Sequence, residues 1–541
     1  MIEETILGNN YKGKLKLRIN LLLLGFVIVL FFLNAYNSVI NKRPTIVHQW
    51  RQTDCLSITK NYYEEGMDFF NPKIHFQGNL NGKAVSEFPI LNYTVAALWK
   101  VFGEHEFIYK LLEYFLFILC IFILFNTLLK FTNSAMFSFF IVSLLLTSPL
   151  LAYYSFNYLA DVPALSLAIM GFSFLTSFYH TRSMKFFYWC LFVSTLAVLI
   201  KASAVLPFAL LLFFSLIDIF NLNRVFKTEK LFSRKTIPSV TIVLSVIAVL
   251  AWYKYAVDYN KSANSVFLLT VLPIWEMTES AILNNLQVLF NVMFPVFFSK
   301  PMFFLFFIAV VFVYSNFKKL NIFFRYSMVF STLSFIFYLL FFFQVFNAHD
   351  YYLNNLMIFP VVTFFCVGNI IVKTEFNINY KTFFSSAVIV LTILNSFYSA
   401  AVVRSRTIED DKLCAWYPFL SMEDKGLAKY LNWRYNSSIG PLETITPELR
   451  AIGIKRDDLT LSIPDDSFDV SLYLMDQKGY TVPRDKFVAD SSIIKTFVAR
   501  KMKYLVFNDP SLKNELSYKA INNYFKLIYK KAHVEVFKLK E

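Results

Sequence analysis

The chain has 541 residues, of which 57% are hydrophobic, 19% aromatic and only 16% charged, with a formal net charge of +15. Soluble globular domains carry about 25% charged residues and far fewer aromatics, so a soluble protein of this size is excluded. The positive excess lies in residues 1–406, among the apolar runs, while residues 407–541 are nearly balanced; the charge therefore reports membrane topology and not a nucleic-acid surface.

Apolar runs of about 18 or more residues, each long enough to cross a ~30 Å hydrocarbon layer as a helix, recur through the first 400 positions. The first, near 20–40, follows Lys12, Lys14, Lys16 and Arg18 and has no small-residue cleavage site. It reads as an uncleaved span with a cytoplasmic N-terminus. Ten further spans are expected near 107–129, 134–152, 162–179, 186–200, 203–220, 237–256, 302–317, 324–346, 353–372 and 382–402. With eleven spans, each later basic cluster falls on the cytoplasmic side: Lys130; Arg182 and Lys185; Arg224, Lys227, Lys230, Arg234 and Lys235; Lys318, Lys319 and Arg325; Lys373 and Lys381. Two weaker apolar segments, 88–102 and 283–298, break that pattern if counted as spans, and are expected to be interfacial or re-entrant helices on the outer side. Residues 41–106 then form a large, partly embedded outer loop.

That loop opens with His48-Gln49-Trp50-Arg51-Gln52-Thr53-Asp54. In a helix His48, Arg51 and Asp54 share one face, placing an imidazole, a cation and a carboxylate together beside a membrane span. Such a group is costly there unless wet, paired or functional. The plainer alternative is a solvated Arg51–Asp54 ion pair. Glu64, Glu65, Asp68, His75, Lys83 and Glu87 follow in the same loop. Asp161 stands before Val162-Pro163, where it either caps the next helix or contributes to an outer-face site together with Asp54. Lys201 interrupts the apolar stretch 191–216 and marks an outer turn, against the usual positive-inside bias. It is a candidate anion ligand, the alternative being a lysine that snorkels to lipid phosphate. His349, Asp350, Tyr351 and Tyr352 follow the ninth span on the same side.

From about residue 407 the composition becomes that of a soluble domain. Strands are expected at 459–463, 470–474, 504–507 and 534–539, with helices at 421–433 and 488–501. The organisation is thus a membrane domain, 1–406, and a small extracytoplasmic α/β domain, 407–541, expected to cover or gate the membrane site. It has no phosphate loop, metal cluster or nucleophile motif. Cys120, Cys190 and Cys366 fall in apolar runs, whereas Cys55 and Cys414 lie outside them and could pair on an oxidising side.

In their order along the chain these fragments resemble the membrane-embedded C-type glycosyltransferases, related to glycosyltransferase family 39, especially the protein O-mannosyltransferases and lipid A aminoarabinose transferases. The matching positions are Asp54 after the first span, Phe88-Pro89 and Phe102-Gly103 at the two ends of the interfacial helix, Ser148-Pro149 and then Asp161 before Pro163, Lys201 after Leu199-Ile200, Trp252-Tyr253, and His349-Asp350-Tyr351-Tyr352. They cover about residues 20–400. The resemblance implies a polytopic enzyme of the bacterial cytoplasmic membrane. It would take a sugar from a polyprenyl-phosphate donor to a lipid, glycan or protein acceptor on the outer face, with inversion. Asp54 would activate the acceptor; Asp161 would orient it or ligate a divalent cation, the cofactor remaining open. Lys201, Arg51, Lys83, His349 and Tyr351 would hold the donor phosphate. Where that family commonly has a lysine before the helix proline this chain has Phe88, so Lys83 or Lys201 would take that role. A transporter or flippase of lipid-linked sugars is the competing class; it predicts charges in mid-span and related halves, whereas here the ionisable groups cluster at span ends. A surface-polysaccharide polymerase or ligase would share the chemistry.

Overall fold

The computed structural model describes residues 13–44, 47–267, 269–373, 379–407, 414–490, 492–500 and 502–540. Lys12 and the side chains of Lys373, Lys381 and Cys414 lie outside the described residues. Among the described residues eight helices are long and apolar enough to cross a membrane: Gly13–Leu33, Phe107–Thr132, Asp161–Thr181, Thr236–Ala263, Glu279–Phe297, Ile322–Phe341, Asp350–Val372 and Ser385–Ser405. Shorter apolar helices Ala135–Leu146, Met184–Ile200, Leu206–Ile219 and Lys300–Ser315 fall where further spans are expected. The expected span at 134–152 is divided at Ser148-Pro149, because proline cannot supply the N–H that would continue the helix. Ser148 instead caps a new short helix, Pro149–Tyr154.

Glu279–Phe297 has the length of a span, and its far end is tied to the break at Ser148-Pro149 and to the helix Asn379–Ser405. The Ser148 hydroxyl donates to the Phe297 carbonyl (2.8 Å), and Tyr398 donates to Pro295 (2.8 Å). A π-helical turn at Leu289–Met293 precedes Pro295. This is the segment expected to be re-entrant. Ile90–Phe102, the other such segment, is a 13-residue helix packed on Gln49–Glu65, with Trp99 fully buried and Val101 and Phe102 exposed.

The C-terminal region carries five strands: β1 Thr460–Ile463, β2 Gly479–Thr481, β3 Tyr504–Phe507, β4 Phe525–Lys531 and β5 Val534–Leu539. Their order is β2-β1-β3-β5-β4, with β1 parallel to both β2 and β3, and β5 antiparallel to β3 and β4. Residues 470–474, expected as a strand, form the helix Val470–Leu474 instead. All five of its side chains are buried, and a short segment buried on every side carries no period by which strand and helix can be told apart. The single helix expected at 488–501 is two, Arg484–Ala489 and Ile493–Val498, parted near Asp490.

This sheet is fastened to residues that follow the first apolar helix, among them Arg43, Glu65 and His75 to Gln77. Gln77 N–H donates to the Gly479 carbonyl (2.7 Å) and Gly479 N–H to the His75 carbonyl (3.2 Å), so this segment covers the edge of β2. Only glycine fits at 479, since an added Cβ would lie 1.8 Å from the Thr460 carbonyl oxygen. Arg43 donates to Glu106 (2.9 Å) and to the carbonyls of Glu443 (3.1 Å) and Leu474 (3.0 Å). Glu65 meets Lys478 (2.7 Å), Lys73 (2.9 Å) and Arg456 (3.4 Å). Cys55 is a buried free thiol.

Two predictions follow from this packing. In a Cys414→Ser background, cysteines at Ser183, Lys230 and Lys318 should be shielded from an impermeant thiol reagent in intact cells, while ones at Ser262 and Asn522 should react; all five positions are exposed. Labelling of Lys230→Cys from outside would overturn the orientation. The second concerns acid. Burial acts to raise the Glu65 carboxyl, but hydrogen bonds from Lys478 and Lys73 outweigh it and bring it to about 2 from its ordinary 4.5. A depressed carboxylate stabilises above its unfolded value and loses that contribution as pH falls through the folded one. Limited proteolysis between the domains should therefore accelerate as pH drops from about 4.5 to 2, and less so in Glu65→Gln.

Candidate active site

The N-terminus of Gln49–Glu65 brings most of the sequence-derived candidates to one cavity of about 1820 Å³, lined by His48, Arg51, Asp54, Glu87, Lys201, Trp252, His349, Tyr351 and Tyr352 on the membrane-domain side. His48 does not continue the helix. It sits at the N-cap with φ 52°, in the left-handed region, and so leaves the face that Arg51 and Asp54 share. Its Nε2 lies 3.0 Å from Asp350 Oδ1, and its ring meets that of Tyr351 edge-on at 5.0 Å.

Arg51 is shared between two acids. It contacts Glu87 closely, while its second arm is 3.6 Å from Asp54 Oδ2. Burial acts to raise the Glu87 carboxyl, but Arg51 and Lys201 outweigh it and hold Glu87 below the usual glutamate range. Asp54 is left with the weaker share. Its side chain is 2% exposed, and Oδ1 finds no hydrogen-bond partner among the described residues. Burial therefore lifts the Asp54 carboxyl well above the ordinary aspartate range, with Asp469 and Glu87 adding to the rise and Arg51 opposing it. A carboxyl so held is poised to exchange a proton with whatever enters the cavity.

Lys201 ends Met184–Ile200 in an extended conformation, at the expected turn between two spans. Its ammonium pairs with Asp161 and lies over the rings of Tyr352 and Tyr351, 5.0 and 5.5 Å from their centroids. Asp161 is the first residue of its helix, behind the N-cap Ala160, and makes no cap. It is buried behind Lys201 and does not line the cavity. Lys83 does not line it either; its ammonium lies 5.7 Å from the Tyr259 ring. His349 does, as a neutral imidazole: burial, with His48 and Arg51 nearby, brings it down to about 4 from 6.5. Among the described residues no group of three or more His, Cys, Asp or Glu side chains is arranged as a metal site.

The partnerships of several residues here escaped the sequence reading. Glu87 was visible only as one acid of the outer loop, although it directly precedes Phe88-Pro89. Asp350 takes Arg406 at 2.8 Å in addition to His48 and Tyr154, so one buried carboxylate collects three donors from distant segments. The rest of the wall comes from residues beyond 430, including Trp433, Asp466, Arg484 and Asp509.

Removing one partner of a buried pair typically costs about 3–5 kcal/mol, because the other charge stays buried. Asp350→Asn, which leaves Arg406 and His48 facing a neutral amide, should lower thermal stability by a cost of that order. Lys254→Ala, which breaks the exposed Lys254–Asp258 pair (3.1 Å), should cost about 0–1 kcal/mol. Equal melting temperatures for the two variants would contradict the burial of the Asp350 cluster.

No protein-family model matches the sequence, and no curated protein matches it. Solved structures do. ArnT from Cupriavidus metallidurans bound to undecaprenyl phosphate superposes with TM-score 0.55 at 12% identity, over 96% of this chain and 97% of that one. The Archaeoglobus fulgidus oligosaccharyltransferase superposes with TM-score 0.53 at 12% identity, covering 99% of this chain and 75% of that one. The arabinofuranosyltransferase AftD from Mycobacteria gives TM-score 0.51 at 10% identity, over 95% of this chain and 39% of the larger protein. Likeness at these identities establishes a shared fold.

Proposed function

We propose that this chain, which has the C-type glycosyltransferase fold, is a membrane glycosyltransferase that moves a sugar from a polyprenyl-phosphate donor to an acceptor hydroxyl at the outer face. The observation that carries this is the unpartnered Asp54 oxygen in a cavity that also holds Arg51 and Lys201. The undecaprenyl phosphate bound by ArnT supports the donor class. The placement of the ionisable groups at span ends favours an interfacial enzyme over a flippase.

In the proposed step the acceptor oxygen attacks the anomeric carbon and the bond from that carbon to the phosphate oxygen breaks. The acceptor proton passes to Asp54, and the bonding pair leaves with the polyprenyl phosphate. A single displacement inverts the anomeric centre. Arg51 and Lys201 offset charge on the departing phosphate; each still has N–H donors beyond those given to Glu87 and Asp161. Neutral His349 and the Tyr351 hydroxyl can donate to the same oxygens. Asp161 acts through Lys201, as a positioning residue.

A positioned base contributes roughly 10²–10⁴-fold. Asp54→Asn should lose transfer by about that factor in proteoliposomes carrying a polyprenyl-phosphate sugar, with donor binding and melting temperature retained. Because burial raises the Asp54 carboxyl, the wild-type rate should climb with pH through a midpoint above the ordinary carboxylate range, and that limb should vanish in the variant. Lys201→Ala should weaken donor binding strongly, and Lys201→Arg should restore part of it, since charge survives while geometry changes. Near-normal turnover by folded Asp54→Asn would sink the catalytic assignment.

A further inference from the structure

At about 1820 Å³ the cavity exceeds the ~300–1,000 Å³ of ordinary small-molecule sites. The excess faces the C-terminal sheet. In open α/β sheets ligands bind beyond the carboxyl ends of the strands, where the strand order reverses. The order β2-β1-β3 is such a place: from β1 the chain passes to β2 on one side and later to β3 on the other. Residues 464–468, directly after β1, and 509–511, after β3, line the cavity. His533, before β5, joins them, because the end of β3 pairs with the start of β5 through Phe507 and Glu535. Among the described residues His533 Nε2 finds no hydrogen-bond partner.

The chemistry of this wall is selective. Two carboxylates are paired with cations, Asp466 with Arg434 at 2.5 Å and Asp509 with Arg484, while the third, buried Asp465, accepts from the Ser467 N–H (2.9 Å) and hydroxyl (2.6 Å) and from the Ser471 N–H (2.8 Å). Asp509 also accepts from the Ser511 N–H (2.9 Å) and hydroxyl (2.7 Å). Such a surface offers donors and acceptors side by side without a field of one sign. It matches hydroxyl groups, which both donate and accept, better than phosphate or an ionic peptide. Above it, Tyr430 and Trp433 on the helix Met422–Arg434 present rings 6.2 Å apart to the cavity, although they are 52% and 66% exposed. The negative face of an aromatic ring complements the C–H face of a sugar ring. Phe468 ties this wall to the catalytic side, packing edge-on against Trp50 (5.0 Å), the neighbour of Arg51, and against Phe267 (5.6 Å).

We propose that the crevice at the carboxyl ends of β1 and β3 is the acceptor subsite, and that it binds a neutral, hydroxyl-rich glycan chain whose terminal hydroxyl reaches Asp54. This rests on the glycosyltransferase reading, so the test must read binding apart from turnover. Saturation-transfer NMR on the full-length protein in nanodiscs, with maltohexaose, cellohexaose and chitohexaose as neutral probes and an oligogalacturonate as the anionic one, does so. At least one neutral hexaose should bind. Trp433→Ala and Asp466→Asn should each weaken it about tenfold or more, equivalent to roughly 1.4 kcal/mol, with unchanged thermal unfolding, and Asp54→Asn should still bind it. Failure of every neutral probe overturns the proposal, as does binding by both crevice variants as tight as by the wild type. Preference for the oligogalacturonate, or for a serine- and threonine-rich peptide, overturns it equally. Glycan binding by a protein that performs no transfer would leave the subsite standing and sink the enzyme reading instead.

Discussion

Asp350 ties three distant segments together beside the cavity. It is a buried carboxylate that collects Arg406 from just past the helix Ser385–Ser405, His48 from the start of Gln49–Glu65 and Tyr154 from the short helix Pro149–Tyr154. Each donor is costly to bury alone, and each finds its counter-charge or acceptor only when the three segments converge. The convergence fixes where the Gln49–Glu65 helix begins. His48 turns out of the helix to reach Asp350, and Arg51 and Asp54, one turn later, are thereby aimed into the cavity.

Charge is distributed across the site so that no cation is idle and one acid is under-served. Arg51 is committed mainly to Glu87, Lys201 to Asp161, and among the described residues Asp54 Oδ1 finds no hydrogen-bond partner. A fully satisfied polar network rigidifies its members, whereas this one has a buried carboxylate oxygen left over. The acids paired with Arg51 and Lys201 fix the position of those cations in the cavity wall.

The C-terminal domain completes this arrangement physically. Its β2 edge is covered by residues 75–77, Arg43 reaches two of its carbonyls, and Glu65 meets three cations, Lys73, Arg456 and Lys478. These contacts cover an otherwise open sheet edge and place the carboxyl ends of β1 and β3 over the membrane cavity. The cavity therefore has one wall of buried ion pairs from the spans and one of neutralised polar pairs and aromatics from the sheet.

Much of this was legible in the residue order. Long apolar runs with basic clusters at alternate ends specify a helical membrane protein, because length and charge asymmetry are local properties of the chain. The same holds for Asp54 and Lys201, ionisable groups set against apolar runs, and for the strands at 459–463, 504–507 and 534–539. What the sequence could not determine were partnerships between residues hundreds of positions apart. Asp161 reads equally as a helix cap or as a site residue until Lys201 is seen beside it, and Lys83 reads as a candidate phosphate ligand, whereas in the fold its ammonium lies near the Tyr259 ring. Residues 470–474 read as a strand because complete burial leaves no pattern to discriminate. Glu87, Asp350 and the sheet-side wall gain meaning only through what faces them. Periodicity and charge along a chain specify which segments enter the membrane; the balance between burial cost and counter-charge, settled only in the folded molecule, decides how much counter-charge each buried acid receives.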